Sequence, residues 1–195
     1  MTRIQQQYAF LAECLKLSEI KRQTLLPASR RRENDAEHSW HLCLMAITLA
    51  EHSNVPVDLA RVLRMLIIHD LVEIDAGDTY AYDTAGMVGQ AEREARAADR
   101  IFGLLPAGQG AELRACWEEF EARITPEARF AAAVDRLQPV LLNILTDGAK
   151  WREHGVTRAK VVARNQHAQD GAQAVWAHAL AMLDDAVLRG VLPEV

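Results

Sequence analysis

Apolar residues recur along this chain at the three- and four-residue spacing of an α-helix, and no stretch sustains the alternation of a half-buried strand. Ile4, Tyr8, Leu11 and Leu15 make one stripe on an opening helix. Asp35 is placed to cap a second helix, which carries Trp40, Leu44, Ile47 and Ala50. Pro56 and Asp58 open a third. Its positions Leu59, Val62, Leu63, Leu66, Ile67 and Leu71 are dense enough to predict a central, mostly buried element that stops at Gly77. Residues 75–89 read as a loop punctuated by Gly77, Gly86 and Gly89, and helices resume over 90–102 and 111–122. Thr125 followed by Pro126 pairs a capping residue with proline at the first helical position, opening a long helix to about Leu145. Residues 157–189 are helical again and end at Gly190. Without repeats, low-complexity tracts or linkers, the pattern predicts a single all-α domain over residues 1–195.

Composition narrows this picture. A chain of 195 residues, 50% hydrophobic and 25% charged, is long enough to close one core. Cys14, Cys43 and Cys116 are odd in number and form no CxxC pair, so they read as reduced thiols. The start of the chain lacks a basic-then-apolar leader, and every apolar run falls far short of the roughly 20 residues that span a bilayer. A cytoplasmic protein without a membrane partner is expected. The net charge of −5 gives no support to a duplex nucleic-acid partner. Its distribution matters more than its total. Lys21, Arg22, Arg30, Arg31 and Arg32 put +5 into residues 21–32, which contain no acid, and leave −10 for the remainder. That stretch suits one small phosphate, since arginine's planar fork donates two hydrogen bonds at once.

The candidate chemistry lies in His38, the pair His69-Asp70 and Asp135, each on a different predicted helix. An ionisable pair on a buried helix is costly unless it is paired or bound to a metal. Adjacent helical residues point about 100° apart. His69 and Asp70 therefore share an ion only if it lies over the helix between them, with His38 and Asp135 supplying donors from neighbouring helices. Two neutral imidazoles and two carboxylates balance a divalent ion, and suit one Mn, Co, Fe, Ni or Zn better than Mg or Ca. A His-Asp dipeptide alone carries little weight. Glu73 adds to it, because it follows Asp70 by three residues and His69 by four, on the same helical face. A carboxylate there can take the proton of a water activated by the metal.

With these positions in place, the sequence resembles the HD-domain metal-dependent phosphohydrolases. Their ligand order is that of His38, His69-Asp70 and Asp135. Ala36-Glu37-His38-Ser39, and His69 to Glu73 followed by Gly77-Asp78, resemble the segments typical of the 5′-deoxynucleotidase-like branch. The motif-bearing part covers about residues 11–145, with further helices at about 157–190. The resemblance implies a helical bundle with the metal site between its central helices. It also implies release of phosphate from a small phosphomonoester, with a deoxynucleoside 5′-monophosphate favoured, and a homodimer. It assigns Glu73 to catalysis and Asp78 to the sugar or to proton transfer. The family's phosphate-binding arginine is best matched by Arg22, sixteen positions before His38, with Arg30, Arg31 and Arg32 left as alternatives. Other readings are an HD hydrolase of another nucleotide or phosphate ester, and a non-catalytic nucleotide-binding regulator with a structural metal. The GYP-type motif of cyclic dinucleotide hydrolases is absent, and the histidines between the first two ligand motifs, His41 and His52, do not read as ligands of a second metal.

The remaining candidates read as structural. His41, one turn after His38, is a half-buried packing residue, while His52, His154, His167 and His178 are surface residues. Trp117 and Phe120 pack inward beneath an acidic face. Pro139 removes the hydrogen bond to the Asp135 carbonyl, and a bend there is expected to help aim Asp135.

Overall fold

The computed structural model describes residues 1–83 and 86–194; Thr84 and Ala85 of the expected loop, and Val195, lie outside the described residues. Helix α1 (Arg3–Cys14) is opened by a reciprocal cap between Thr2 and Gln5 and runs into a 3₁₀ turn over Leu15–Glu19. An antiparallel hairpin follows, β1 (Lys21–Leu25) and β2 (Arg32–Asn34), with Lys21 opposite Asn34 and Leu25 opposite Arg32. Helices α2 (Asp35–Leu49) and α3 (Leu59–Ile68) come next. A 3₁₀ turn (His69–Val72) then leads into the single turn α4 (Glu73–Ala76). After the loop come α5 (Gln90–Phe102), α6 (Ala107–Ala122), α7 (Pro126–Leu145), α8 (Ala149–Glu153), α9 (Arg158–Asn165) and α10 (Gln169–Leu188). The all-α reading holds, with the two-stranded hairpin as its exception. No described helix is long and apolar enough to cross a membrane.

Helix α7 is the axis of the bundle. It packs against α2, α3, α6 and α10, and its residues from Phe130 to Val134 are all buried. Thr125 caps it, accepting a hydrogen bond from the Ala128 N–H, and Pro126 takes the first turn as expected. It continues through Pro139 as one helix. One core cluster gathers Leu42, Met65, Leu66, Ile101, Phe102 and Phe130; a second, around Val140, Trp151, Val161 and Leu183, joins the other end of α7 to α8–α10. Trp117 and Phe120 are buried in the first, as their spacing predicted.

Three local expectations change. The stripe Ile4, Tyr8, Leu11 and Leu15 is exposed, and Phe10 is the residue α1 buries. Helix α2 is apolar on two faces, and it turns inward the one with Asp35, His38, Ser39, Leu42 and Ala46. Trp40, Leu44 and Ile47 are left outside, Trp40 with 65% of its surface exposed. The third helix ends at Ile68, before the His-Asp pair, whose backbone tightens into the 3₁₀ turn. Gly77 does stop the segment, at φ +76°, with its N–H donating to the Glu73 carbonyl at 2.8 Å.

The approach of α10 to α7 depends on Gly171, because a Cβ at that position would lie 2.1 Å from the Arg129 carbonyl oxygen. Gly171→Ala is expected to lower stability by about 1–3 kcal/mol through overpacking. Gly108→Ala, in α6 with nothing within 4 Å of the added carbon, should be neutral or stabilise by about 0.5 kcal/mol. Chemical denaturation midpoints of the two variants check the contrast.

Candidate metal centre and its cavity

The site is assembled from the hairpin outward. Asn34 at the end of β2 caps α2: its side-chain oxygen accepts from the Glu37 N–H at 2.9 Å, while Glu37 accepts from the Asn34 N–H at 3.1 Å. Glu37 also pairs with Arg31, so it serves the cap and faces away from the chemistry. The cap lies one residue before the expected one, and Asp35 thereby becomes a fully buried first-turn residue. One turn on, His38 is buried as well. Behind it Glu33 is held by hydrogen bonds from Thr24 (2.9 Å) and Gln138 (2.6 Å).

His38 Nε2 lies 3.1 Å from Asp135 Oδ1 and 3.8 Å from Asp70 Oδ2. His69 Nε2 lies 3.1 Å from Asp70 Oδ1 and 3.7 Å from Asp135 Oδ1. The donor atoms of His38, His69 and Asp135 fall within 4.8 Å of one another, and those of Asp35, Asp70 and Glu73 form a second such group beside them. All four residues expected at the metal are thus brought together, from α2, the turn after α3, and α7. His69 is fixed from behind by a contact of its Nδ1 with the Leu66 carbonyl at 2.9 Å, and its ring packs against Phe120 with centroids 4.9 Å apart. That contact leaves Nε2 buried without a hydrogen-bond partner. An orphaned imidazole nitrogen beside two carboxylates fits a divalent ion.

Electrostatics points the same way. Burial disfavours a charged His69 ring, but Asp70 and Asp135 outweigh it and hold the imidazole up to about 9. A bound cation would take over the role of that proton. Burial first, then Asp70, pushes the Asp35 carboxyl up to about 7. The same two causes push Glu73 well above the usual carboxylate range, and burial raises Asp78. Arg22 is the nearby countercharge, its Nη1 lying 2.9 Å from Asp70 Oδ2 and 3.2 Å from Asp35 Oδ1. Burial works against its charge, yet the carboxylates around it keep the guanidinium firmly protonated.

A cavity of about 420 Å³ opens onto these groups. Arg22, His69, Asp70, Glu73, Asp78 and Asp135 all line it. Among the arginines left open by the sequence, Arg22 alone reaches this wall. Arg30 pairs with Asp147, Arg31 with Glu37, and Arg32 donates to the carbonyls of Lys21 and Arg22. The sequence reading missed Asp35 and Glu33, and also the far wall, where Tyr80, Tyr82, Arg123, Arg136, Trp151 and Arg164 stand. His167 is half-buried rather than a plain surface residue, with its Nε2 3.2 Å from Arg123 Nη1, and His154 packs on Tyr80 at 4.5 Å between centroids.

A helical bundle in which two histidines and several carboxylates converge beside a cavity defines a protein with a cluster able to hold a metal ion between its helices. More particularly, the chain belongs to the HD domain family, whose sequence pattern matches residues 14–176. The predicted metal-dependent phosphohydrolase from Magnetospirillum magnetotacticum MS-1, known from a crystal structure, is 53% identical, covers 98% of this chain and 96% of its own, and superposes with a TM-score of 0.94. The 5′-deoxynucleotidase HDDC2 of Danio rerio is 29% identical over 112 residues, and that of Homo sapiens 28% over 112. These alignments take in 57% of this chain and 54% and 53% of the respective relatives, so the chain spans about half the length of the curated relatives it matches.

The His167 ring gives a pH prediction. Burial, then Arg123, Arg136 and Arg164, depress it to about 4, below the ordinary value near 6.5. Between those values the unfolded chain binds the proton and the folded one does not, so this group's contribution is present above about pH 6.5 and is lost as pH falls toward 4. Melting temperatures across that range are expected to fall more steeply for the parent than for His167→Gln; parallel curves would remove His167 from the account.

Proposed function

We propose that the chain is a metal-dependent phosphohydrolase that releases phosphate from a small phosphomonoester, with a deoxynucleoside 5′-monophosphate as the favoured substrate. The observation that carries this reading is the placement of Glu73. Its carboxyl oxygen Oε2 is buried without a hydrogen-bond partner, on the wall of the cavity onto which the His/Asp cluster opens. A structural metal site has no need of a spare carboxylate beside it, whereas a hydrolytic one does.

His38, His69, Asp70 and Asp135 hold the metal in this reading. A divalent transition metal supplies positive charge for a phosphoryl oxygen and makes water a better nucleophile near neutral pH. Glu73 takes the proton of the attacking water at its unpaired oxygen, and burial makes that carboxyl a stronger base than an exposed one. Asp78, on the cavity wall just past Gly77, receives a substrate hydroxyl or returns a proton to the leaving oxygen. Arg22, poised between Asp35 and Asp70, turns toward the phosphate when it enters. The similarity to a predicted metal-dependent phosphohydrolase and to 5′-deoxynucleotidases supports this assignment.

Phosphate release from deoxy- and ribonucleoside monophosphates, assayed with Mn, Co, Mg and Zn, is the direct test. A chelator should abolish turnover, Mn or Co should restore it, and deoxynucleotides should be preferred. No release from any substrate with any of these metals would refute the activity. Glu73→Ala is expected to lose about 10²–10⁴ in kcat while its metal content stays that of the parent; unchanged kcat would remove Glu73 from the base role.

A further inference from the structure

Three arginines on the far wall of the cavity have no task in the reaction described above. Arg123 closes α6, Arg136 stands on α7 and Arg164 on α9, and all three line the cavity. The Nε of each is buried without a hydrogen-bond partner. Among the described residues, the carboxylate within 4.0 Å of any of them is Asp135, 3.7 Å from Arg136 Nε. Glu94 and Glu121 share the cavity but stand beyond ion-pair distance. The side-chain partner of Arg123 is His167, whose ring burial first, and then the three arginines, hold in the neutral form, so that it brings no negative charge to the group.

The backbone adds an independent observation. Arg123 occupies the position after α6 at φ +52°, a left-handed conformation that favours glycine and costs a residue with a Cβ about 1 kcal/mol or more. The chain accepts that strain at a residue that lines the cavity. Like charges gathered under these conditions repel: burial, then Arg136, lowers the Arg123 guanidinium, and burial, then Arg136, lowers Arg164. Such a group is relieved by an anion. Three guanidinium forks match a phosphate, with its three terminal oxygens, better than a carboxylate, which one fork satisfies.

We propose that Arg123, Arg136 and Arg164 form a second phosphate subsite, so that the substrate bound best is a phosphomonoester bearing a further phosphate group. This rests on the reading of the cavity as a phosphoester site and narrows its substrate class. The nucleoside monophosphates would then be minimal substrates that leave the arginine wall unused.

The test is calorimetric binding of deoxyadenosine 5′-monophosphate, 5′-diphosphate and 3′,5′-bisphosphate to the Mn-loaded Glu73→Gln protein. At least one of the two doubly phosphorylated ligands should bind about tenfold or more tightly than the monophosphate. Arg164→Gln should erase that preference while keeping monophosphate affinity within about twofold. Arg123→Gln reads the same quantity should Arg164→Gln fail to fold. Equal affinity for all three ligands would overturn the subsite, as would a preference that survives both substitutions. So would an equal loss for every ligand, which would make these arginines the primary phosphate clamp. Because the readout is binding, an enzyme that released no phosphate would sink the activity and leave this result standing.

Discussion

Burying charge inside an apolar bundle is the constraint around which this molecule is organised. Asp35, His38, His69, Asp70 and Asp135 are all removed from solvent, and each would be costly there without a partner of opposite sign or a hydrogen-bond donor. The fold meets that cost by convergence. Arg22 from the hairpin reaches Asp35 and Asp70, and the His38 ring meets Asp135 across 97 residues of chain. The pairing remains incomplete, since carboxylates outnumber cations and a His69 nitrogen has no hydrogen-bond partner. A centre left with excess negative charge is tuned to receive a cation, and the excess is stable only because the surrounding helices cannot move apart without exposing their core.

How much of this was legible in the sequence depends on what kind of force positions each part. Helices α5 and α7 begin and end where periodicity and the Thr125-Pro126 signal place them, because apolar packing and capping act over a few neighbouring residues. The hairpin was hidden. Its strands are five and three residues long and almost wholly polar, and they are anchored by the polar chain Thr24–Glu33–Gln138 instead of an alternating apolar face. Helix α2 misled in a subtler way. Asn34 and Asp35 are both good capping residues, and choosing the wrong one shifts the helix by one position, or about 100° of rotation. That shift is the difference between Asp35 at a helix end and Asp35 inside the site.

The site divides along the same line. The four expected metal donors and Glu73 stand out because the His-Asp dipeptide and the residue one turn later belong to one short segment. The arginine wall has no such signature. Its members are 13 and 28 positions apart on three separate helices, and each taken alone is an ordinary arginine. What makes them a group is that none has a carboxylate partner of its own beyond Asp135 at the edge, and only three-dimensional packing reveals that.

Helix α7 runs through both hydrophobic clusters, and this gives the molecule a division of labour. The donors at one end of the cavity are braced by the cluster that includes Leu42, Met65 and Phe130, while Trp151 and Arg164 on the opposing wall are carried by elements packed around Val140, Val161 and Leu183. Helix α10 also enters both clusters, through Trp176 and Ala179 in the first and Leu183 and Ala186 in the second. Changes in α9 that resize or recharge the guest's end of the cavity reach the donors chiefly through α7 and α10, whereas α8 also packs on β1, the strand of Arg22. A scaffold built in this way lets substrate preference drift without rebuilding the chemistry.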